Sequence, residues 1–356
     1  RSDELDYELA LERIATDPAE PRDAARLMVI HRRDGRIEHR RVRDLPTLLD
    51  RGDLMVLNRT SVLPAMLHGR RKATGGKVGL LYLESPEPLI WAVLIEARGK
   101  LEAGQRIVLD GESAPGPELE LLKRIEAGIW HARLHASDPT PVILQRLGQT
   151  PLPPYIRKAR RALGRAETSA ADAARYNTIY ASEAGSVAAP TAGLHLSGPL
   201  LKRLVGAGIE RAELTLHIGV GTFAPIRTET VEAHSIHREW LSIPSPCLEQ
   251  IERSRRAGGR IIPVGTSTVR ALESLPTGRA GGDGPFTIWT DLLISPGFEF
   301  QWTDGLLTNF HLPRSSLLAL VAALPGVGIG RIKRHYRIAI DQKYRFYSYG
   351  DAMLIL

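Results

Sequence analysis

The chain has 356 residues, of which 43% are hydrophobic and 24% charged, a balance that excludes a disordered chain and leads us to expect two domains of ordinary size. Lys and Arg number 47 against 40 Asp and Glu, and the resulting +7 is a mild basic excess that permits a polyanionic partner without requiring one. The single cysteine, Cys247, excludes an internal disulfide framework and a Cys-rich zinc cluster, and fits a reducing cytoplasm.

In chain order, the charged stretch from Arg1 to Glu20 does not read as a signal peptide. Two apolar runs, Leu27 to Ile30 and Leu54 to Leu57, predict buried strands, with a short helix near Leu45 to Asp50 between them. From about Leu67 the texture changes to short β-type segments at Val78 to Leu83, Ile90 to Ala97, Arg106 to Asp110, Glu118 to Ile125 and Ile129 to His135. Proline and glycine turns separate them, and no helical pattern intervenes before Pro141 to Leu147, so residues 67–153 are expected to form a small antiparallel barrel. Pro151 to Ile156 reads as a stiff extended connector, and the segment from Glu167 to Arg175 as helical.

Beyond Tyr176 strands and helices alternate. Helices are expected over Gly198 to Val205, Pro246 to Arg256, from about Thr266, and from Ser315 or Ser316 to Leu324; glycines stop the first two. Strands are expected over 212–218, Arg260 to Val264, Thr287 to Ile294 and Leu306 to Phe310. The longest apolar run, Leu317 to Leu324, falls far short of the ~20 residues that span a bilayer. The fold class is therefore an α/β body with a largely parallel sheet, built from 1–66 and 154–356, with the barrel inserted between.

Several stretches carry polar groups in turns. Gly185 to His195 is nearly free of bulky side chains, which leaves its backbone and the hydroxyls of Ser186 and Thr191 open to a ligand. Thr215 to Pro225 runs from a strand into a glycine turn holding His217, Gly219, Gly221 and Thr222. It matches a dinucleotide fingerprint only loosely, because Pro225 follows at once and no helix opens. His234, His237 and Glu239 have zinc-ligand chemistry but lack a fourth ligand nearby, so they read as hydrogen-bonding or acid/base groups, or as polar surface, rather than as a metal site. Gly265 to Thr268 sets backbone N–H groups and three hydroxyls at a helix start, where an anion would be favoured or where Thr266 or Ser267 only caps the helix. Asn309 and His311 sit at a strand end, the edge where open α/β sheets bind ligands. The segment from Tyr344 to Asp351 mixes aromatics and cations, a composition able to stack bases and hold phosphates. Arg157, Lys158, Arg160, Arg161 and Arg165 form a basic run with no acid among them, and a second, from Arg331 to Arg345, contains only Asp341.

Taken in order, Asp6 to Leu9, Pro151 to Ile156, Arg175 to Ala181, Gly185 to His195, Thr215 to Pro225, His234 with His237 and Glu239, Val264 to Ser274, Leu307 to Pro313 and Tyr344 to Met353 closely resemble the S-adenosylmethionine:tRNA ribosyltransferase-isomerases of queuosine biosynthesis. Where that family commonly reads Asn-Asp-Thr-Arg, this chain has Asn58-Arg59-Thr60-Ser61, and Leu196 replaces the usual aromatic after the histidine. The resemblance implies an α/β body with an inserted β-barrel. It also implies transfer and isomerisation of the ribosyl part of S-adenosylmethionine onto 7-aminomethyl-7-deazaguanine at the tRNA wobble position, giving epoxyqueuosine, adenine and methionine. No metal or redox cofactor is expected, S-adenosylmethionine being a co-substrate. The expected partner is the anticodon arm of tRNA, bound by a cytoplasmic monomer that does not engage a membrane. Within that reading His217 or Glu239 is the base, His195 a positioner or acid, and His234 and His237 further acid/base groups. Ser186, Thr191, Gly219, Gly221, Thr222, Thr266, Arg270, Asn309, His311 and Asp351 bind substrate. Arg157, Lys158, Arg160, Arg161, Arg345 and Tyr347 hold tRNA. The alternatives are a tRNA-binding module of the same fold with lost or altered catalysis and, more remotely, an S-adenosylmethionine-dependent methyltransferase.

Overall fold

Alternation of buried and exposed side chains marks strands such as Met66–Arg71 and Ile129–His135, and continuous burial marks others such as Leu54–Asn58. The structure is a computed structural model that describes residues 1–111, 116–126, 128–223, 225–278 and 284–356, without the side chains of 222 and 223. The first strands are β1 (Arg26–Ile30), β2 (Ile37–Arg41), β3 (Leu54–Asn58) and β4 (Thr60–Val62). Six more follow, β5 (Met66–Arg71), β6 (Lys77–Glu87), β7 (Ile90–Ala97), β8 (Arg106–Leu109), β9 (Glu118–Glu126) and β10 (Ile129–His135), and then three helices, α1 (Thr140–Leu147), α2 (Pro154–Ala162) and α3 (Asp172–Arg175). Next come β11 (Glu183–Ser186), α4 (Gly198–Gly206), β12 (Glu210–Leu216), β13 (Glu239–Ile243), α5 (Ser245–Arg256), β14 (Ile261–Pro263) and α6 (Thr266–Glu273). The chain ends with β15 (Phe286–Thr290), β16 (Leu306–Asn309), α7 (Ser316–Ala323), α8 (Gly328–Asp341) and β17 (Ala352–Ile355).

The chain divides into two compact units. One holds Arg1–Ser61, Pro153–Glu167 and Arg175–Leu356; the other holds Val62–Leu152 with Thr168–Ala174. The second unit is the expected barrel, closed in the order β10-β7-β6-β5-β8-β9 with every neighbour antiparallel. Closure pairs the backbone all round and leaves no sheet edge. Alternate residues fill the interior, among them Val78, Leu80, Ile107, Leu119, Leu121 and Trp130, while Trp91 is fully buried and its indole N–H donates to Thr140 Oγ1 at 2.8 Å. The sequence boundary at 153 falls within a residue of this division, but Thr168–Ala174, expected in the body, groups with the barrel.

The first unit is the α/β body, with two sheets ordered β16-β17-β1-β2 and β14-β3-β12-β13-β15. They are mixed rather than largely parallel: β1 with β17 and β14-β3-β12 pair in parallel, and the flanking pairs are antiparallel. The two-residue period of a strand sends alternate side chains to opposite faces. Leu27 and Val29 of β1 therefore meet Met55 and Leu57 of β3 in a core shared by the two sheets. Met28 and Ile30 face the apolar helix α7 and helix α8, whereas Leu54 and Val56 face α5 and α6. α4 is capped by the Ser197 hydroxyl, which accepts from Leu200 N–H at 3.2 Å, and Gly208 follows its end at a positive φ of 81°. Pro154 opens α2 instead of extending a connector, and only Asp172–Arg175 of the expected 167–175 helix is helical. No single helix among the described residues is long and apolar enough to cross a membrane.

Three histidines are enclosed in this body: His195, described below, His311 and His335. His311 Nε2 bonds to Thr308 Oγ1 at 2.8 Å, and burial pushes its pKa down to about 3. Burial, with Arg334 and Arg331 nearby, pushes His335 down to about 4. The unfolded chain takes up these protons near 6.5 and the folded chain only far below, so protonation favours unfolding. Stability should therefore be full above about pH 6.5 and fall as pH drops toward 4, by about 1.4 kcal/mol per pH unit for each such histidine. Urea midpoints between pH 7 and 4.5 will measure the slope, and His311→Gln should make it shallower; an unchanged slope would contradict the assignment.

Candidate active site

The carboxyl ends of the three parallel strands β14, β3 and β12 meet at Asn58, the last residue of β3, which is fully buried. Its Nδ2 donates to Leu216 O at 2.9 Å and Ser267 Oγ at 3.2 Å, and its Oδ1 accepts from Leu216 N and Thr60 N, each at 3.1 Å. All four hydrogen-bonding positions of the carboxamide are filled. This one side chain ties β3 to the end of β12 and to the first turn of α6. The N-terminal flank of α6 is Gly265 at φ 93° and ψ 154°, a backbone region open essentially to glycine alone.

His217 follows β12 directly. Its Nδ1 lies 2.8 Å from Thr60 Oγ1, which lies 2.7 Å from Ser186 Oγ, and that hydroxyl accepts from Ile218 N–H at 2.8 Å. The ring stacks on Trp240, with centroids 5.0 Å apart and planes inclined by 21°. Nε2 lies over Gly185, where a Cβ would come within 2.5 Å of it. Burial lowers the pKa of His217, opposed by the carboxylate of Glu183. A neutral imidazole held by hydroxyls on one nitrogen and bare of side chains at the other is suited to accept a proton.

His195 ends a short 3-10 turn, Thr191–His195, and is only 4% exposed. Its Nε2 is 3.2 Å from Asn309 Nδ2, while Asn309 Oδ1 accepts from Thr191 Oγ1 at 3.1 Å. With the amide nitrogen facing it, Nε2 is the acceptor and the ring proton belongs on Nδ1. Burial, with Arg345 and Arg22 adding repulsion, takes the pKa down to about 3. His195 is thus neutral at ordinary pH in this setting, with Asn309 fixing its ring.

Glu239 is 4% exposed; its carboxylate accepts from Gly219 N–H at 2.8 Å and pairs with Arg270, whose Nε donates to Leu292 O at 2.9 Å. Both partners of that carboxylate already occupy it, whereas Nε2 of His217 faces the small residue Gly185. Thr266 is buried at the start of α6. His237 is exposed and packs against Gly221, and His234 is half-buried. Among the described residues no group of three His, Cys, Asp or Glu is arranged to hold a metal ion. The side chain of Thr222 lies outside the described residues.

Other expected residues sit elsewhere. His311 is locked in the core by Thr308 and by the Tyr336 hydroxyl that accepts its backbone N–H at 2.8 Å. Asp351 accepts from the backbone N–H groups of Arg26 and Arg345 at 3.0 and 2.8 Å and serves as a clamp between chain segments, not as a ligand group. Tyr347 is 7% exposed, with its ring 4.9 Å from that of Tyr155, so it offers no platform to a base. Arg345 donates to Asp17 O and Asp351. The basic run acquires acids from outside itself. Arg160 is 2% exposed and donates to Thr16 O and Asp17, Arg165 pairs with Asp17, and Arg157 and Arg161 pair with Glu167; Lys158 is exposed. Arg160 therefore cannot reach a phosphate. Asn58, Thr60 and Trp240 were not among the expected site residues; polar residues closing the apolar run 54–57 were the available signal for the first two.

Groups able to orient and move a proton, set at the carboxyl ends of parallel strands, make the body that of an α/β enzyme. The family model described as Queuosine biosynthesis protein matches residues 2–355. An S-adenosylmethionine:tRNA ribosyltransferase-isomerase of Gloeobacter violaceus is 47% identical over 100% of this chain and 96% of its own, and that of Thermotoga maritima 43% over 99% of both. The crystal structure of S-adenosylmethionine tRNA ribosyltransferase from Thermotoga maritima superposes with a TM-score of 0.55 at 35% identity, covering 99% of this chain and 100% of that one. The chain belongs to the S-adenosylmethionine:tRNA ribosyltransferase-isomerase family.

Two substitutions probe the site. Gly185→Ala puts a methyl within 2.5 Å of His217 Nε2, so the ring must shift; turnover should fall about 10²-fold, with a stability cost of about 1–3 kcal/mol. Asn58→Leu strips partners from buried backbone and hydroxyl groups, and should cost about 2–4 kcal/mol in chemical denaturation. A fully active Gly185→Ala enzyme would show that Nε2 is not used.

Proposed function

We propose that the chain transfers and isomerises the ribosyl moiety of S-adenosylmethionine onto 7-aminomethyl-7-deazaguanine at the wobble position of tRNA, giving epoxyqueuosine-tRNA, adenine and methionine. The full-length similarity to relatives bearing that name carries this reading. The geometry around His217 gives it a chemistry. With the ring proton on Nδ1 and donated to Thr60 Oγ1, Nε2 presents a lone pair above Gly185. That lone pair takes the acidic proton next to the sulfonium sulfur. His195, neutral and held by Asn309, orients the substrate. The reaction consumes and releases no electrons, so the reading calls for no redox cofactor. The enzyme works as a cytoplasmic monomer.

The tRNA partner is read from the charges that remain exposed. On α8 the side chains of Lys333, Arg334 and Arg337 are exposed, and among the described residues no carboxylate pairs with them. Phosphates of the anticodon arm are neutralised by such cations.

Incubation with labelled S-adenosylmethionine and tRNA carrying the aminomethyl base tests the reaction. Adenine plus methionine is the expected outcome; S-adenosylhomocysteine would indicate a methyltransferase, and tRNA binding without turnover a module that has lost catalysis. His217→Ala should lower turnover by about 10²-fold or more. Because the base must be unprotonated and its pKa lies below 6.5, kcat/KM should be flat near pH 7.5 and fall on the acid side below 6.5. An acid limb centred above 7 would exclude His217. Replacing Lys333, Arg334 and Arg337 together by Ala should flatten the slope of log affinity for tRNA against log salt by about 0.7 to 0.9 per lost phosphate contact. Arg161→Ala should leave the slope nearly unchanged, since Arg161 is already paired. An unaltered slope in the triple variant would move the phosphate track off α8.

A further inference from the structure

Residues directly opposite each other on antiparallel strands put their side chains on the same face of a sheet. Across β12, β13 and β15 this register draws a line of rings. His217, the residue after β12, donates its backbone N–H to Trp240 O at 2.9 Å, and Trp240 of β13 stands opposite Trp289 of β15. The neighbouring line on the same face is Thr215, Ser242 and Thr287, with Ser242 Oγ 3.1 Å from Thr287 Oγ1. The opposite face of these strands carries Leu216, Leu241, Ile243 and Phe286 and is buried against α5 and α6. The line of rings opens to solvent at its far end. Trp289 is 50% exposed on the strand that forms the outer edge of the sheet, whereas Trp91, Trp130 and Trp302 are buried. A single exposed aromatic is ordinary, but this one continues a line that starts at the proposed base.

From this register we propose that Trp289, continued by Trp240, is a stacking platform for an unpaired base of the tRNA anticodon loop, the one beside the nucleotide being modified. This rests on the function proposed above and names how the loop is held while its wobble base is at the site. The spacing fits. Adjacent strands lie about 4.8 Å apart, so Trp289 stands roughly 10 Å from His217. One to three nucleotides cover that distance, at about 3.4 Å per stacked step and more when the bases are splayed. The chemistry fits as well. Aromatic rings beside hydroxyls on an open sheet accept the π-face of any base and leave partners for sugar hydroxyls and base edges, as in sheets that bind single-stranded RNA. The adenine of S-adenosylmethionine would be held by walls on several sides, whereas a sheet face offers one. Arg238 is exposed just before β13, and among the described residues no carboxylate pairs with it, so it is free to meet a phosphate of the same loop.

The test measures binding of an anticodon stem–loop RNA carrying the aminomethyl base. Trp289→Ala should weaken it about 10-fold, the effect of losing one stacked base. No phosphate contact is removed, so the slope of log affinity against log salt should not change, and KM for S-adenosylmethionine should not change either. Trp289→Phe keeps a π-face and should stay within about 3-fold of wild type. Stem–loops lacking the base on one or the other side of the wobble position complete a cycle. One of them should bind wild type about 10-fold more weakly than the intact loop, yet bind Trp289→Ala no more weakly than the intact loop does. Unaltered RNA affinity in Trp289→Ala overturns the inference. So does a rise in KM for S-adenosylmethionine alone, which would make the platform one for adenine. A concentration-dependent mass of wild type that Trp289→Ala abolishes, with RNA binding intact, would instead make the face a contact between copies of the chain and overturn the inference too. Release of adenine and methionine by wild type is scored separately. Turnover by wild type with undiminished RNA binding by Trp289→Ala sinks the platform alone, whereas a wild type that neither binds the RNA nor turns over sinks the function on which it rests.

Discussion

The carboxamide of Asn58 is the contact on which the site depends. A strand end at the carboxyl edge of a sheet leaves backbone groups without ladder partners, and water would normally serve them. At the end of β3 there is no exposure, and Asn58 serves instead, accepting from Leu216 N and donating to Leu216 O as a further strand would. Its reach to Ser267 couples the same point to α6. Only a side chain with both a donor and an acceptor on one short planar group can do this. Aspartate has the shape but no donor, leucine the volume but neither function. Since His217 is the residue after Leu216, the bonds that fix Leu216 also fix the direction from which the imidazole leaves the sheet.

From that anchor the hydroxyls of Thr60 and Ser186 carry the orientation to the ring, and Trp240 supports its face. The setting of His217 is thus drawn from four separated parts of the chain: the end of β3 with the start of β4, the strand β11, the end of β12 and the start of β13. No one of them is a catalytic motif alone. The same logic separates the two basic runs. The buried Arg160 needs a counter-charge and has Asp17, which also pairs with the more exposed Arg165 and Arg175, while Glu167 pairs with the exposed Arg161. That cluster is consumed in holding α2 and the N-terminal segment together. α8 presents its cations on the face opposite Ile332, Tyr336 and Ala339, which pack into the core, and so leaves them to solvent or to a polyanion.

The parts of the fold that sequence reasoning reached are those whose signal is local. The barrel strands alternate, and the glycines after α4 and α5 end those helices where expected. β2 escaped because it is an outer strand of polar composition, Ile37–Arg41, with no apolar alternation to detect. α2 was read as an extended proline segment, since proline fixes φ at a value shared by extended chain and the first helical turn, and only the residues after it decide between them. The antiparallel flanks of both sheets depend on pairing partners far apart in sequence. At the site, the glycine-rich settings of His195 and His217 were legible, because small residues around a polar group are a local pattern. The roles of Asn58, Thr60 and Trp240 were not, because each is defined by contact across strands. Aromatic and cationic residues from 344 to 351 were read as a nucleic-acid surface, yet Tyr344, Phe346, Tyr347 and Tyr349 are all buried.

Strand periodicity also accounts for the departure of residues 58–61 from the family's usual pattern. Successive residues of an extended segment face opposite ways, so Asn58 and Thr60 share one side and Arg59 and Ser61 the other. The burial agrees: Asn58 and Thr60 are fully buried, while Arg59 and Ser61 are half-exposed. Both retained residues belong to the hydrogen-bonded path that ends at His217, and both changed residues lie off it. Arg59 has found partners of its own, with Nε 3.3 Å from Thr215 Oγ1 and Nη2 3.3 Å from a carboxylate oxygen of Glu183. Exchange of an acid for a base at 59 thus leaves an ion pair at this edge. That pair acts on the ring only at a distance: Glu183 favours the protonated form of His217, and a cation held against Glu183 weakens that pull. The substitution works in the direction that keeps the proposed base neutral. Leu196, the other departure, is fully buried with Leu200 and Leu204, an aliphatic filling behind the turn that carries His195. Both changes alter what supports the site while leaving the groups that face it in place.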